Sequence, residues 1–266
     1  MYKAIITDLD GTLFNGESLI SDYSAEVLRQ AEKKGYTIII ATGRHHADAD
    51  YIVRNALGIK AYRISSNGGM IVSPEGRIIA RYLIKEDLAE KLLSIEVPEK
   101  VYVHLYKGDK WYADKHDEGS VCHQALSGFM FETADLKNMS DYTDCSKICF
   151  IARDDEGIRF MNDTVEQFKD PRLSFFFTMA RCFEAMDKNA DKGMAVEQVL
   201  RLEGINRSQA VAFGDGMNDK SMLEYAGKGI IMGNAVEELK NALPYNEVTG
   251  PNTEDSVARY IEKHLL

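Results

Sequence analysis

The sequence predicts an α/β fold, in which a doubly wound, parallel-sheet (Rossmann-like) core carries an inserted α+β module. Strand and helix patterns alternate in the first and in the last part of the chain, whereas the middle is rich in hairpin-like strand pairs. We therefore expect a discontinuous core, residues 1–83 and 188–266, and an inserted domain, residues 84–187. The length of 266 residues suits two domains of this size.

In the first core segment, β-branched apolar runs mark the strands and helical spacing of apolar residues marks the helices. Strands are predicted at residues 4–6, 36–41 and 62–65, and helices at residues 23–34 and 46–57. Each helix is followed by a glycine, Gly35 or Gly58, which is the usual residue after a helix C-terminus. This βαβαβ order predicts neighbouring parallel strands.

The inserted region has the pattern of adjacent strand pairs with a few helices. Its strands are predicted at residues 101–107, 110–113, 147–152, 173–177 and 182–186, and its helices at residues 117–126 and 156–169. The last segment returns to α/β alternation. It has predicted helices at residues 193–203, 220–226 and 255–265, and predicted strands at residues 210–213 and 229–232.

Composition restricts the possible partners. A net charge of −10 argues against a broad basic surface for nucleic acid or for an anionic membrane. The chain has no apolar run of about 18 residues, so we expect no membrane span, and its N-terminus lacks the pattern of a signal peptide. The cysteines lack zinc-site spacing and predict reduced thiols and a cytoplasmic location; they are Cys122, Cys145, Cys149 and Cys182.

Two carboxylates stand directly after the first predicted strand. Asp8 and Asp10 precede Gly11, and the carboxyl ends of strands form the ligand crevice of an open α/β sheet. Two acids there can bind a hard cation, or one can be a nucleophile and the other a general acid/base. The same residues are also typical of an ordinary turn at a strand end.

Three further stretches carry candidate chemistry. Thr42-Gly43-Arg44 follows a strand and opens a helix, which suits a phosphate cradle, although Thr is also a common N-cap. Lys192 lies at a helix start, where a solvent-exposed charge is the ordinary interpretation. The residues from Gly214 to Asp219 (GDGMND) offer two carboxylates and an amide on a turn, and turn propensity alone could explain them.

The combination is more specific than its parts, because the strands that end at Asp8, Thr42 and Asp215 are predicted to converge on one crevice. The four stretches resemble, in order, the four motifs of the haloacid dehalogenase-like superfamily of phosphohydrolases. The insertion between the second and third motifs is similar to the type IIB cap of Cof-type phosphatases. The likeness is strongest to members that act on pyridoxal phosphate and sugar phosphates, and it includes Arg44-His45-His46 and Ser66-Asn67-Gly68.

The resemblance implies a magnesium-dependent phosphatase that hydrolyses small phosphomonoesters, pyridoxal phosphate or sugar phosphates, through an aspartyl-phosphate. Asp8 would be the nucleophile. Asp10 would be the general acid/base, kept protonated by the crowding of nearby carboxylates. Mg²⁺ would be held by Asp8, the backbone carbonyl of Asp10, Asp215 and Asp219. The phosphoryl oxygens would be held by Leu9, Thr42, Gly43, Lys192 and Asn218.

Residues that select the substrate are harder to predict. Arg44, His45, His46 and Asn67 are candidate substrate contacts, and the inserted domain is expected to close over the site as a cap. Phosphosugar mutases share these motifs, and signalling receivers also accept phosphate on an aspartate, so both remain alternatives, as does a non-catalytic phosphate-binding protein. The expected partner is a small phosphorylated metabolite, and the expected state is a monomer or a small homo-oligomer.

Overall fold

A computed structural model describes residues 1–116, 118–121, 127–168, 170–179 and 181–266 of the chain. Contacts divide it into two compact units. Unit 1 comprises Met1–Arg81 and Asp191–Leu266, and unit 2 comprises Tyr82–Ala190. The predicted junctions lay after residues 83 and 187.

Strands and helices are numbered along the chain, within the ranges given above. The strands are β1 (Ala4–Thr7), β2 (Thr37–Ala41), β3 (Ala61–Ser65), β4 (Met70–Val72), β5 (Ile78–Arg81), β6 (Val101–Lys107), β7 (Lys110–Ala113), β8 (Phe131–Thr133), β9 (Cys145–Ala152), β10 (Leu173–Met179), β11 (Cys182–Asp187), β12 (Ala210–Gly214), β13 (Lys228–Ile231) and β14 (Glu247–Val248). The helices are α1 (Asp22–Lys33), α2 (His46–Tyr51), α3 (Glu86–Leu93), α4 (Glu118–Val121), α5 (Asp155–Gln167), α6 (Lys192–Leu202), α7 (Lys220–Tyr225), α8 (Glu237–Ala242) and α9 (Ser256–His264). A wider helical turn, Ile52–Leu57, continues α2.

Unit 1 is built on an eight-stranded sheet with the order β14-β13-β12-β1-β2-β3-β4-β5. The strands from β14 to β3 are parallel, and β1 lies between β12 and β2. The parallel α/β core predicted from the sequence is thus confirmed. Because β1 is central and buried along its whole length, the residue that follows it is held at the middle of the sheet's carboxyl edge.

The packing explains why these strands read as continuous apolar runs. On one face of the sheet, Ile6 and Ile39 pack with Val196 and Val199 of α6. Their neighbours Ile5 and Ile38 point to the opposite face, because successive side chains of a strand alternate between the two faces. Both are buried as well, so this face is also covered. A sheet covered on both faces needs apolar residues at every position.

The edge of the sheet departs from the predicted order. β4 and β5 form an antiparallel extension, with β4 against β3 and β5 against β4. Neither strand was predicted, and α8 and β14 were also missed. These elements are short, and β5 and β14 are largely exposed, so they lack the long apolar run that marks a buried strand.

Unit 2 has a six-stranded sheet in the order β10-β11-β9-β6-β7-β8, antiparallel except between β7 and β8. Leu92 of α3 and Met161 of α5 pack with Val103, Ile148 and Phe150 of the sheet in one apolar cluster. The predicted α+β character of this region is confirmed, although α3 and β8 were missed. Of the predicted helix at 117–126, only α4 is described, since residues 117 and 122–126, with Cys122, lie outside the described residues. Residue 169, at the end of the predicted helix 156–169, also lies outside them.

Candidate active site

Asp8 stands at the end of β1 and is 5% exposed. Its backbone N–H donates to the carbonyl of Phe213 in β12, which fixes it to the neighbouring strand (3.1 Å). The chain then turns through Leu9–Leu13, where Gly11 has a φ of +76°. A side chain at Gly11 would put a Cβ only 2.3 Å from an Asp215 oxygen, so this turn needs glycine both for its backbone and for the approach of Asp215.

The turn after β12 brings in two more carboxylates. Asp215 accepts a hydrogen bond from the Thr12 hydroxyl at 2.8 Å, which ties the turn after β12 to the turn after β1. One oxygen of Asp219 accepts from the backbone N–H groups of Asp215 and Gly216, each at 2.9 Å. Asp219 is 1% exposed, so its orientation is fixed by buried hydrogen bonds.

Lys192, at the start of α6, is buried among these carboxylates. Its Nζ lies 2.7 Å from Asp8 Oδ1 and 2.6 Å from Asp219 Oδ1, and the residue is 1% exposed. Burial alone would lower the pKa of Lys192, but Asp219 and Asp8 outweigh burial and raise it, so the ammonium stays charged. Solvent exposure, the ordinary interpretation of a lysine at a helix start, is therefore wrong for Lys192.

The cluster carries more negative charge than one lysine balances. One oxygen each from Asp8, Asp215 and Asp219 lies within 4.8 Å of the other two. Burial raises the pKa of Asp8 well above its ordinary value, Lys192 opposes this, and Asp219 and Asp215 add to it. Burial, followed by repulsion from Asp219, raises the pKa of Asp215 to about 6. Convergent carboxylate oxygens that resist ionisation when no cation is bound fit a hard divalent cation.

Thr42, at the end of β2, is fully buried. Its hydroxyl accepts from the backbone N–H of Arg44 at 3.1 Å, so the hydroxyl bends the chain within the motif and does not cap α2. The N-cap of α2 is His45, whose Nδ1 accepts from the N–H of Ala47 at 3.3 Å. Gly43 lies against Asn67, because a Cβ on Gly43 would sit 3.1 Å from Asn67 Oδ1.

Arg44 is paired with Asp10. Its Nε and Nη2 donate to the two carboxylate oxygens of Asp10, each at 2.7 Å, and its guanidinium lies 5.0 Å from the ring centre of Phe14. A planar bidentate pair of this kind is among the stronger charge-assisted contacts. The neighbours of Asp10 thus include a guanidinium, which donates to both of its oxygens, in addition to the carboxylates expected from the sequence.

The remaining candidates lie near this cluster but have structural contacts of their own. His45 is 2% exposed and its ring lies 3.9 Å from that of His46, centre to centre. Asn67 is also 2% exposed, and its Oδ1 accepts from Asn218 Nδ2 at 3.0 Å. The structure thus brings the four motif segments together, and it places His45 as a helix cap and Asn67 as a partner of Asn218.

Sequence reasoning gave no separate role to two residues of the first turn. Thr12 bonds to Asp215, and the carbonyl of Gly11 accepts from Asn234 Nδ2 at 2.8 Å. The signal for Thr12 was present, since it adjoins the two acids. Nothing in the sequence around Asn234 indicates that its amide reaches Gly11.

Aromatic residues of unit 2 pack within the unit. Trp111 stacks on Tyr106 with ring centres 5.2 Å apart, and its Nε1 donates to His104 Nδ1 at 3.0 Å. Phe175 stacks on Phe183 at 5.2 Å. These contacts make Trp111, Tyr106 and Phe175 packing residues of the sheet.

The sequence and the fold are similar to those of known proteins. The family of haloacid dehalogenase-like hydrolases matches residues 5–261. The chain is 31% identical over 265 residues to the HMP-PP phosphatase of Yersinia pseudotuberculosis, covering 100% of this chain and 96% of that protein. A haloacid dehalogenase-like hydrolase from B. subtilis superposes with a TM-score of 0.86 at 30% identity, covering 99% of this chain and 100% of that one.

A sugar phosphatase described as HAD subclass IIB shares the fold, with a TM-score of 0.80 at 23% identity over 98% of each chain. The family match spans nearly the whole chain, and the relatives are matched over nearly their full lengths. The chain therefore belongs to the haloacid dehalogenase-like hydrolases.

Proposed function

We propose that this protein is a magnesium-dependent phosphatase that hydrolyses small phosphomonoesters through an aspartyl-phosphate on Asp8. One observation carries the proposal: Lys192 bridges the buried Asp8 and Asp219 in a carboxylate cluster, completed by the half-buried Asp215, at the carboxyl edge of the sheet. The relative named a phosphatase supports the same reaction class. Buried charges in such an arrangement are costly to the fold, and active sites are where they are typically kept.

The residues present fit a magnesium ion. Asp8, Asp215 and Asp219 would hold it with their side chains, and the backbone carbonyl of Asp10 remains a predicted fourth ligand. When bound, the cation would neutralise the carboxylates and the phosphoryl oxygens, so that one anion can approach another.

In the proposed first step, an oxygen of Asp8 attacks phosphorus in line, and the bond from phosphorus to the leaving oxygen breaks. Lys192 keeps Asp8 oriented through its bond to Oδ1 and offers positive charge to the phosphoryl oxygens. Thr42, the N–H groups of Leu9 and Gly43, and Asn218 are the proposed donors around those oxygens. Water then hydrolyses the aspartyl-phosphate and releases phosphate.

Proton transfer is assigned to Asp10. It would protonate the leaving oxygen in the first step and take a proton from water in the second. Arg44 donates one hydrogen bond to each Asp10 oxygen, which leaves each oxygen a second lone pair for the proton that Asp10 gives and takes. In this proposal Arg44 orients the acid/base residue, and its contact with the substrate stays a prediction.

The substrates proposed are pyridoxal phosphate and sugar phosphates, and a screen for released phosphate over a metabolite panel tests that choice. Selection of the leaving group by unit 2 stays a prediction, as does the monomer or small homo-oligomer. We also place the enzyme in the cytoplasm, because Cys145, Cys149 and Cys182 are buried free thiols that suit a reducing compartment.

The decisive experiment is Asp8→Asn, which keeps the shape of the side chain but removes the nucleophile. We expect the folded variant to lose hydrolysis of p-nitrophenyl phosphate with Mg²⁺ by orders of magnitude, while Glu17→Gln, the same kind of change at an exposed loop residue, keeps it. When hydrolysis is stopped with acid during turnover, the wild-type protein should carry one phosphoryl group that the variant lacks. Wild-type turnover by Asp8→Asn would overturn the covalent mechanism.

A further inference from the structure

The loop after β3 has an unusual backbone. Ser66, Asn67 and Gly68 have consecutive positive φ angles of 47°, 50° and 100°. Left-handed backbone is rare for residues with a side chain, and it persists where the surrounding structure holds it in place. Two such residues in succession beside the candidate site, Ser66 and Asn67, therefore indicate that the conformation of this loop serves a function.

Contacts from the motif segments hold this loop. The N–H of Asn67 donates to the carbonyl of Thr42 at 3.0 Å, and the N–H of Ser66 donates to the carbonyl of Arg44 at 2.8 Å. Gly68 lies directly against the backbone of Asp191, the residue before Lys192, since a Cβ there would be 2.4 Å from the Asp191 carbonyl oxygen. The loop thus joins the second and third motif segments.

The Asn67 side chain extends the connection to the fourth motif. Its Oδ1 accepts from Asn218 Nδ2 at 3.0 Å and lies 3.1 Å from the position of a Cβ on Gly43. At its other end, the Asn218 amide lies close to Gly216, because a Cβ on Gly216 would be 2.5 Å from Asn218 Oδ1. Asn218 is thus bonded to Asn67 at one end and lies close to Gly216 at the other.

We propose that Asn67 is a positioning residue that sets the orientation of the Asn218 amide for a phosphoryl oxygen. An asparagine amide has two N–H groups. Asn67 takes one of them, which directs the second toward the phosphoryl position next to Gly43. This inference rests on the proposed function, and it replaces direct substrate contact as the role of Asn67.

The test is a double-mutant cycle of Asn67→Gly and Asn218→Ala. Glycine tolerates the left-handed backbone, so Asn67→Gly removes the side chain without forcing the loop to change. Ser18→Gly is the matched control, because Ser18 also has a positive φ (57°) and lies in an exposed loop. Steady-state hydrolysis of p-nitrophenyl phosphate and the affinity for inorganic phosphate, both with Mg²⁺, are measured in all the proteins.

We expect Asn67→Gly to lower kcat/KM and phosphate affinity about tenfold in the wild-type background, the usual size of one lost hydrogen bond. In the Asn218→Ala background it should cost less than about twofold, because its target is gone. Equal losses in both backgrounds, or no loss in the wild type, would overturn the inference. A wild-type protein that hydrolyses nothing would instead count against the proposed function, and the cycle on phosphate affinity would still decide the role of Asn67.

Discussion

Asp215 offers the sharpest quantitative test of the site's electrostatics. Burial, and then the like charge of Asp219, raise its pKa from an ordinary 3.8 to about 6, although the hydrogen bond from Thr12 works in the opposite direction. The metal-free protein therefore holds this side chain more easily as the neutral acid. Asp215→Asn replaces it with a neutral amide that keeps an oxygen to accept from Thr12.

The sign follows from linkage between protonation and folding. A carboxyl whose pKa is raised in the folded state stabilises the fold at low pH, and this contribution is lost as the pH rises through about 6. A shift from 3.8 to about 6 corresponds to about 3 kcal/mol between the two limits. We therefore expect Asp215→Asn to raise the free energy of unfolding by up to about 3 kcal/mol at neutral pH, and by much less near about pH 4.

The assay is urea unfolding of purified protein in EDTA at several pH values, with Glu17→Gln as the control for loss of one exposed negative charge. Added Mg²⁺ should reverse the order at neutral pH, because the cation stabilises a fold that binds it and the amide is a poorer ligand than the carboxylate. If Asp215→Asn is no more stable than the wild type in EDTA at neutral pH, the charge excess inferred for this cluster is absent.

Two further substitutions test the geometry of the cluster. Gly11→Ala should lower the free energy of unfolding by about 1–2 kcal/mol, because Gly11 has a positive φ. It should also weaken Mg²⁺ binding at least about tenfold, because the new methyl displaces Asp215. An unchanged Mg²⁺ affinity in a titration would contradict this. Lys192→Met leaves Asp8 and Asp219 without their buried partner, so we expect the free energy of unfolding in EDTA to fall by about 3–5 kcal/mol. Mg²⁺ should restore part of this loss. Unfolding curves that match the wild type would contradict the prediction.

The sequence predicted the parts of the fold that depend on continuous burial. The apolar runs before Asp8, Thr42 and Asp215 became β1, β2 and β12, because a strand covered on both faces leaves the same mark anywhere in a chain. The carboxyl ends of parallel strands must meet, so the approach of these residues followed from topology. The strands β4, β5 and β14 were missed because they are only two to four residues long, and strands that short at or next to a sheet edge carry almost no pattern.

Side-chain pairing in the site could not be read from the sequence. Lys192 bonds to Asp8, a residue 184 positions earlier, and although the family resemblance placed Lys192 at the site, it did not indicate this pairing. The pairing of Arg44 with Asp10 and the capping role of His45 depend on how the backbone leaves β2. Such choices are made by tertiary contacts, so the residue types were predictable and their partners were not.

The charge balance of the cluster explains how an acidic chain can receive an anionic substrate. Arg44 balances Asp10, and Lys192 balances one of the three carboxylates of Asp8, Asp215 and Asp219, so full ionisation leaves two negative charges in excess. Without a cation, the raised pKa values of Asp8 and Asp215 mean that protons relieve part of this excess. A divalent cation would relieve all of it. Protons and the cation thus relieve the same local excess of negative charge. The sign of the electrostatic field at a phosphoryl group is therefore set by this cluster and not by the net charge of −10.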